Sequence, residues 1–131
     1  MSEARLNVST KFLAFAAVAE VGVGLAMMIV PAVVVTLLLG VEISGAGTLV
    51  GRFFGIALLA LEMACWPGAP RGESGRPVFR ALLTYNVLFA LYLAYLGTVG
   101  NLGGLLLWPG VVFHAAVTLV LVFHWRAEQR A

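Results

Sequence analysis

Apolar residues fill four stretches of this chain almost without interruption: 12–30, 48–66, 78–96 and 105–124. Each is close to the roughly 20 residues that one helix needs to cross a hydrocarbon core. The pattern predicts an all-α protein, an integral-membrane four-helix bundle running up and down, with residues 1–131 forming a single domain. Short connections make neighbouring spans antiparallel. Between the first two spans, 31–39 (PAVVVTLLL) is apolar but too short to cross, and it opens with a proline suited to the first position of a helix. A short interfacial helix, or a kinked extension of the first span, is expected there.

Composition supports the same solvent. With 62% hydrophobic and 11% charged residues, the chain has too little charge to cover a soluble surface. A net charge of +2 could suggest nucleic acid, but the positions of the charges argue for a membrane instead. Arg5 and Lys11 precede the first span, Arg71, Arg76 and Arg80 lie between the second and third, and Arg126 and Arg130 follow the fourth. All fall on one side, while the opposite loops, 40–47 and 97–104, contain no Lys or Arg. Both termini are therefore expected to be cytoplasmic, in a multi-pass protein of a bacterial inner membrane, with the lipid bilayer as its main partner and no nucleic acid. Trp66, Trp108 and Trp125 stand at span ends, as interfacial anchors do. The 67–80 segment (PGAPRGESGRPVFR) reads as an orientation signal and solvated turn, with anionic headgroup binding as the alternative. Ala17-Val18-Ala19 imitates a signal-peptide cleavage site, but too few apolar residues precede it, so the first span is expected to stay uncleaved. Cys65 is the only cysteine, which excludes an internal disulfide, a CxxC redox pair and a thiolate metal cage.

Glu20 is the only charged residue in 12–30, about half-way across the core. A carboxylate there is costly and needs a partner. From the helical rise, Glu20 lies roughly 13 Å above the cytoplasmic end of its span, Asn86 roughly 12 Å, His114 roughly 15 Å and Arg52 roughly 20 Å. Each escapes lipid only by pointing inward, so one interior polar cluster of Glu20, Arg52, Asn86 and His114 is expected. Arg52 is the expected partner of Glu20, since a guanidinium on a long stem can fork onto a carboxylate. Should Arg52 snorkel outward instead, Glu20 becomes a proton-exchanging carboxyl group. Ala16 and Gly24 flank Glu20 on its own face, and Gly47, Gly51 and Gly55 recur at four-residue spacing, a pattern of close helix contact within one chain or in a homodimer. Glu62 is expected near the cytoplasmic end of its span, reaching headgroups or Arg80 in a structural role. Tyr85 and Tyr92, seven apart, are expected to share a face of the third span, packing or lining a cavity. His114 is expected to hydrogen-bond Glu20 or Asn86, with proton relay or ligand contact as the alternative. His124 lies roughly 15 Å further along the same helix, so the two histidines cannot ligate one haem iron within a chain. No motif for a metal, a phosphate or a nucleophile is present, and no catalytic residue, metal or cofactor is predicted.

The succession AEVGVGLAMMIVPAVVVTLLLG, VGRFFGIALLALEMACWPG, LTYNVLFALYLAYLG and LLLWPGVVFHAAVTLVL resembles the small bacterial four-span proteins grouped as DoxX-like. That resemblance implies a redox or accessory role in an inner membrane, linked to quinone-dependent sulfur oxidation, although no cysteine pair is present for sulfur chemistry. Ala19-Glu20-Val21 in the first of four short spans is similar to small multidrug resistance transporters, whose first-span glutamate binds protons and cationic drugs; the later spans differ. Three functions follow. The first is a non-catalytic accessory subunit or binder of small hydrophobic ligands, within a homo-oligomer or larger membrane complex. The second is a proton-coupled transporter acting as a dimer, and the third a redox component with a quinone headgroup against His114, Tyr85 and Asn86.

Overall fold

Pro31 divides the first apolar stretch from the second. It supplies no N–H and forces Val30 out of the helical region (φ −130°, ψ 53°), so one helix ends at Ile29 and the next starts on the proline itself. In the computed structural model, which describes residues 3–66 and 75–128, the helices are α1 (Glu3–Ile29), α2 (Pro31–Leu39), α3 (Ala46–Ala64), α4 (Gly75–Thr98) and α5 (Leu107–Glu128). No strand occurs among the described residues. Four segments are long and apolar enough to cross a membrane: Thr10–Ile29, Ala46–Ala64, Pro77–Thr98 and Leu107–Ala127. The chain is an all-helical, multi-pass membrane protein with α2 as its short fifth helix.

Helix and apolar stretch do not coincide. α1 and α4 begin well before their apolar runs, because a helix satisfies its own backbone in water as well as in lipid. α3 is displaced two residues towards the N-terminus at both ends, running from Ala46 to Ala64, so Cys65 and Trp66 lie past its end. α5 starts at Leu107, and Pro109 falls in its first turn, where a missing N–H costs nothing.

The helices pack as two close hairpins, α1 against α3 and α4 against α5. The α1–α3 seam is built on glycine. Gly24, Gly51 and Gly55 are buried, and a methyl group added to Gly55 would lie 2.6 Å from the carbonyl oxygen of Gly24 and 2.9 Å from the nitrogen of Met28. Of the two uses open to the glycine spacing, Gly51 and Gly55 therefore serve the internal one. Gly47 does not reach α1 and meets only Ile43.

This seam also sets register. Gly51 faces Pro31 and Met27, Gly55 faces Gly24 and Met27, and Leu59 faces Gly24, so each step down α1 is a matching step up α3 in number. Continued by one turn, the register brings Glu20 level with Glu62. The two hairpins meet at that level and on both sides of it. On one side of that level, Ala16 packs with Val117 and Leu121 among Phe12, Leu13, Phe79, Leu82, Leu83 and Phe113. At the far end, α2 is tied to the segment before α5: Gly103 N–H donates to the Leu39 carbonyl (3.2 Å) and Leu106 N–H to the Leu37 carbonyl (2.8 Å). Gly40 turns the chain there in the left-handed region (φ 74°), with Gly103 so close that a side chain would collide. Leu107 beneath this tie is completely buried.

The seam gives a direct test by thermal melting in detergent. Gly55→Ala is expected to lower stability by about 1–3 kcal/mol through forced separation of α1 and α3. Gly22→Ala, whose new methyl meets nothing within 4 Å, is expected to be neutral or slightly stabilising.

Candidate functional site

Buried positions on α3 are Gly51, Gly55, Leu58 and Glu62, a repeat of four, three and four residues that keeps one face of the helix turned inward. α1 answers with Glu20, Gly24 and Met27, continued by Pro31 at the start of α2, all buried. The two inward faces thus each carry one carboxyl group at the same level: Glu20 is 6% exposed and Glu62 3%. They are near enough for each to lie in the other's electrostatic field.

The second hairpin supplies the remaining groups. On α4, the Tyr85 hydroxyl donates to Glu20 Oε2 at 3.2 Å. The neighbouring Asn86 is buried, and its amide nitrogen donates to the Leu82 carbonyl at 2.9 Å, which turns its oxygen towards α5. There it lies 2.9 Å from Nδ1 of buried His114. An amide oxygen only accepts, so Nδ1 carries the hydrogen, and Nε2 of a neutral ring carries the lone pair. Aromatic rings wall the imidazole: Phe89 at 4.6 Å, Phe113 at 5.3 Å and Tyr85 at 5.6 Å between centroids.

One atom is left over. Glu20 Oε1 lies 3.4 Å from His114 Nδ1, but the single N–H there is committed to Asn86, and Oε1 is buried without a hydrogen bond. Glu62 makes no hydrogen bond or ion pair with a described residue. A charged side chain at the centre of a membrane helix costs about 3 kcal/mol even on the mildest scale. The Tyr85 bond offsets about 1.5–3 kcal/mol of that for an ionised Glu20, and no described residue offers Glu62 a comparable bond. Two oxygen-bearing acids in this position are completed by a small positive charge, a proton or a monovalent cation.

Arg52 does not supply it. The expected ion pair with Glu20 is overturned: Arg52 is exposed on the outer surface of α3 and has no ion pair with a described residue. Gly51 occupies the inward face against Pro31, and the next residue is turned about 100° away from it. Arg52 also stands about 15 Å along α3 from Glu62, beyond the end of α1. The polar band still draws on four helices, with Glu62 in place of Arg52. Glu62 does stand near the end of its span, two residues before Ala64, but it is buried level with Glu20 instead of reaching out to headgroups or Arg80. The missed signal was the 51, 55, 58, 62 repeat, which puts Glu62 on the glycine face. Glu20, Tyr85, Asn86 and His114 come together as the sequence suggested. Tyr92 does not join Tyr85; it is exposed and stacked on Tyr95 at 6.3 Å between centroids. Arg80 is exposed on α4.

Comparisons with family models, with curated proteins and with solved structures found no match to the chain.

Two substitutions separate the site from its surroundings in a detergent melt. Arg52→Gln is expected to change stability by no more than about 0.5 kcal/mol, as for a surface residue without a partner. Asn86→Ala leaves His114 Nδ1–H without its acceptor and is expected to cost about 1–3 kcal/mol. Nitrogen NMR of the histidine ring gives a further check: His114 in the native protein is expected to show the Nδ1–H tautomer, and a protonated Nε2 with bare Nδ1 would contradict the geometry.

Proposed function

We propose that this protein binds a proton within the membrane-spanning bundle on the Glu20–Glu62 pair, as the working site of a small proton-coupled transport protein. The observation that carries the reading is the orphaned, buried Oε1 of Glu20 facing a second buried carboxyl group, with Arg52 turned away. A structural ion pair would need a charged basic partner: no Lys or Arg among the described residues pairs with Glu20, and the one basic ring near it, His114 at 3.4 Å, gives its Nδ1–H to Asn86. A single proton removes one of the two like charges, gives Oε1 a hydrogen-bonding role and leaves the other carboxylate as acceptor. Tyr85 holds Glu20 in place, and Asn86 holds His114 beside it.

A purely structural reading, with the band as a clamp in an accessory subunit, is favoured by one observation. The Tyr85–Glu20 bond joins the two hairpins. The two readings part on titration. Infrared difference spectra of the purified protein are expected to show a buried carboxylic-acid carbonyl that loses its proton as pH is raised, and Glu20→Gln is expected to abolish that band. In lipid vesicles, proton flux through the protein is expected to fall several-fold in Glu20→Gln and in Glu62→Gln. A carboxyl band that never titrates, or proton flux unaffected by Glu20→Gln, would overturn the proposal. Lower melting of Glu20→Gln with no titrating band would favour the clamp.

A further inference from the structure

His114 has one hydrogen to give and two acceptors beside it. Its Nδ1 lies 2.9 Å from Asn86 Oδ1 and 3.4 Å from Glu20 Oε1. Asn86 stands on α4, in the same hairpin as His114 on α5, whereas Glu20 belongs to α1 in the other hairpin. The Asn86 amide cannot turn over without losing the bond from its nitrogen to the Leu82 carbonyl, so its oxygen is held against the ring. Glu20 Oε2 receives the Tyr85 hydroxyl, but Oε1 is buried without a hydrogen bond. The ring therefore stands between an acceptor that it uses and one that it nearly reaches.

Which acceptor holds the N–H depends on the charge of Glu20. A carboxyl group protonated on Oε1 presents a hydrogen there, and the ring N–H turned towards it would set donor against donor, so the amide oxygen is the better partner. A carboxylate offers lone pairs only, and a hydrogen bond to an ionised acceptor is roughly twice as strong as one between neutral groups. The low dielectric of a buried site widens that difference. A charge-assisted bond of this kind spans about 2.7–2.9 Å, so from 3.4 Å the ring has to close by only about half an ångström. Phe89, Phe113 and Tyr85 wall the imidazole, which makes such a tilt cheaper than a flip that would present Nε2.

We infer that His114 responds to the proton on Glu20 by changing partner: its Nδ1–H bonds Asn86 while Glu20 is protonated and turns to Glu20 Oε1 when the carboxyl group ionises. This inference rests on the proton-binding reading above. The proton that Glu20 gives up passes to water, and the imidazole neither gains nor loses one. Asn86 is a positioning residue, an uncharged acceptor that keeps the N–H at hand for the carboxylate. The arrangement in the structure, with the N–H on Asn86 and Oε1 unbonded, matches the proton-loaded site. Loss of the proton adds a second side-chain bond between the hairpins beside that of Tyr85, and proton binding removes it again. Proton occupancy is thereby converted into the hold of α5 on α1. Titratable groups facing Glu20 are Glu62 from α3, Tyr85 from α4 and His114 from α5, with Cys65 beside Glu62; α2 (PAVVVTLLL) brings none.

The test is NMR of the full chain in lipid nanodiscs with isotope-labelled histidine rings, read beside the infrared band of the Glu20 acid over the same pH range. His124→Gln assigns the signals of His114. As the Glu20 band disappears with rising pH, the His114 Nδ1–H signal is expected to move downfield, as for a shorter bond to a carboxylate, while Nε2 stays bare. In Glu20→Gln, which keeps that position neutral, the signal is expected to remain at its low-pH position throughout. The titration of the native protein decides the matter even where Glu20→Gln fails to fold. A signal that stays in place while the Glu20 band titrates would overturn the change of partner and leave the proton site intact. A second ring proton on Nε2 would mean that His114 takes the proton itself, which also overturns it. An equal move in Glu20→Gln would show that Glu20 is not the second acceptor. The absence of any titrating Glu20 band would instead overturn the proton-binding reading itself.

Discussion

Everything in this bundle is arranged around two carboxyl groups that face each other away from water, with no Lys or Arg among the described residues paired to either. One such group in a membrane interior is usually explained by an arginine or lysine nearby. Here the arginines within the spans, Arg52, Arg80 and Arg126, are all exposed. The low dielectric that makes a salt bridge strong also makes two unpaired like charges untenable, so the pair requires a proton or a cation for neutrality. That requirement turns a packing feature into a candidate working site.

The glycine seam and the carboxyl pair are parts of one design. Close approach of α1 and α3 needs Gly24 and Gly55 in contact, and that contact fixes the antiparallel register over the rest of the seam. Because the repeat on each helix is continuous, the same register carries Glu20 to the level of Glu62. A slip of one turn would set each carboxyl group against an apolar neighbour. The second hairpin then needs to provide only polar groups at one height, and Tyr85, Asn86 and His114 do so from adjacent turns of α4 and α5.

The opposite ends of the molecule are built from different materials. At the α2 end, hydrogen bonds between backbones connect elements that side chains alone would leave sliding in lipid, where no hydrophobic force holds one apolar helix to another. At the opposite end α3 stops at Ala64, while α1 extends to Glu3 and α5 to Glu128.

The sequence by itself determined the all-helical class, the four crossings, the break at Pro31 and the approximate depth of the polar band, because each depends on local quantities: apolar length, proline geometry and helical rise. It also held the 51, 55, 58, 62 repeat that names Glu62 as an inward residue. Only the tertiary structure decided which polar group faces Glu20. Depth along a span is readable from counting, but the direction in which a side chain points depends on which face the neighbouring helix claims. Gly51 claimed the inward face against Pro31, and that alone turned Arg52 outward. Glu62 does stand near the end of α3, but the register set by the glycine contacts further up the helix turns it inward, opposite Glu20.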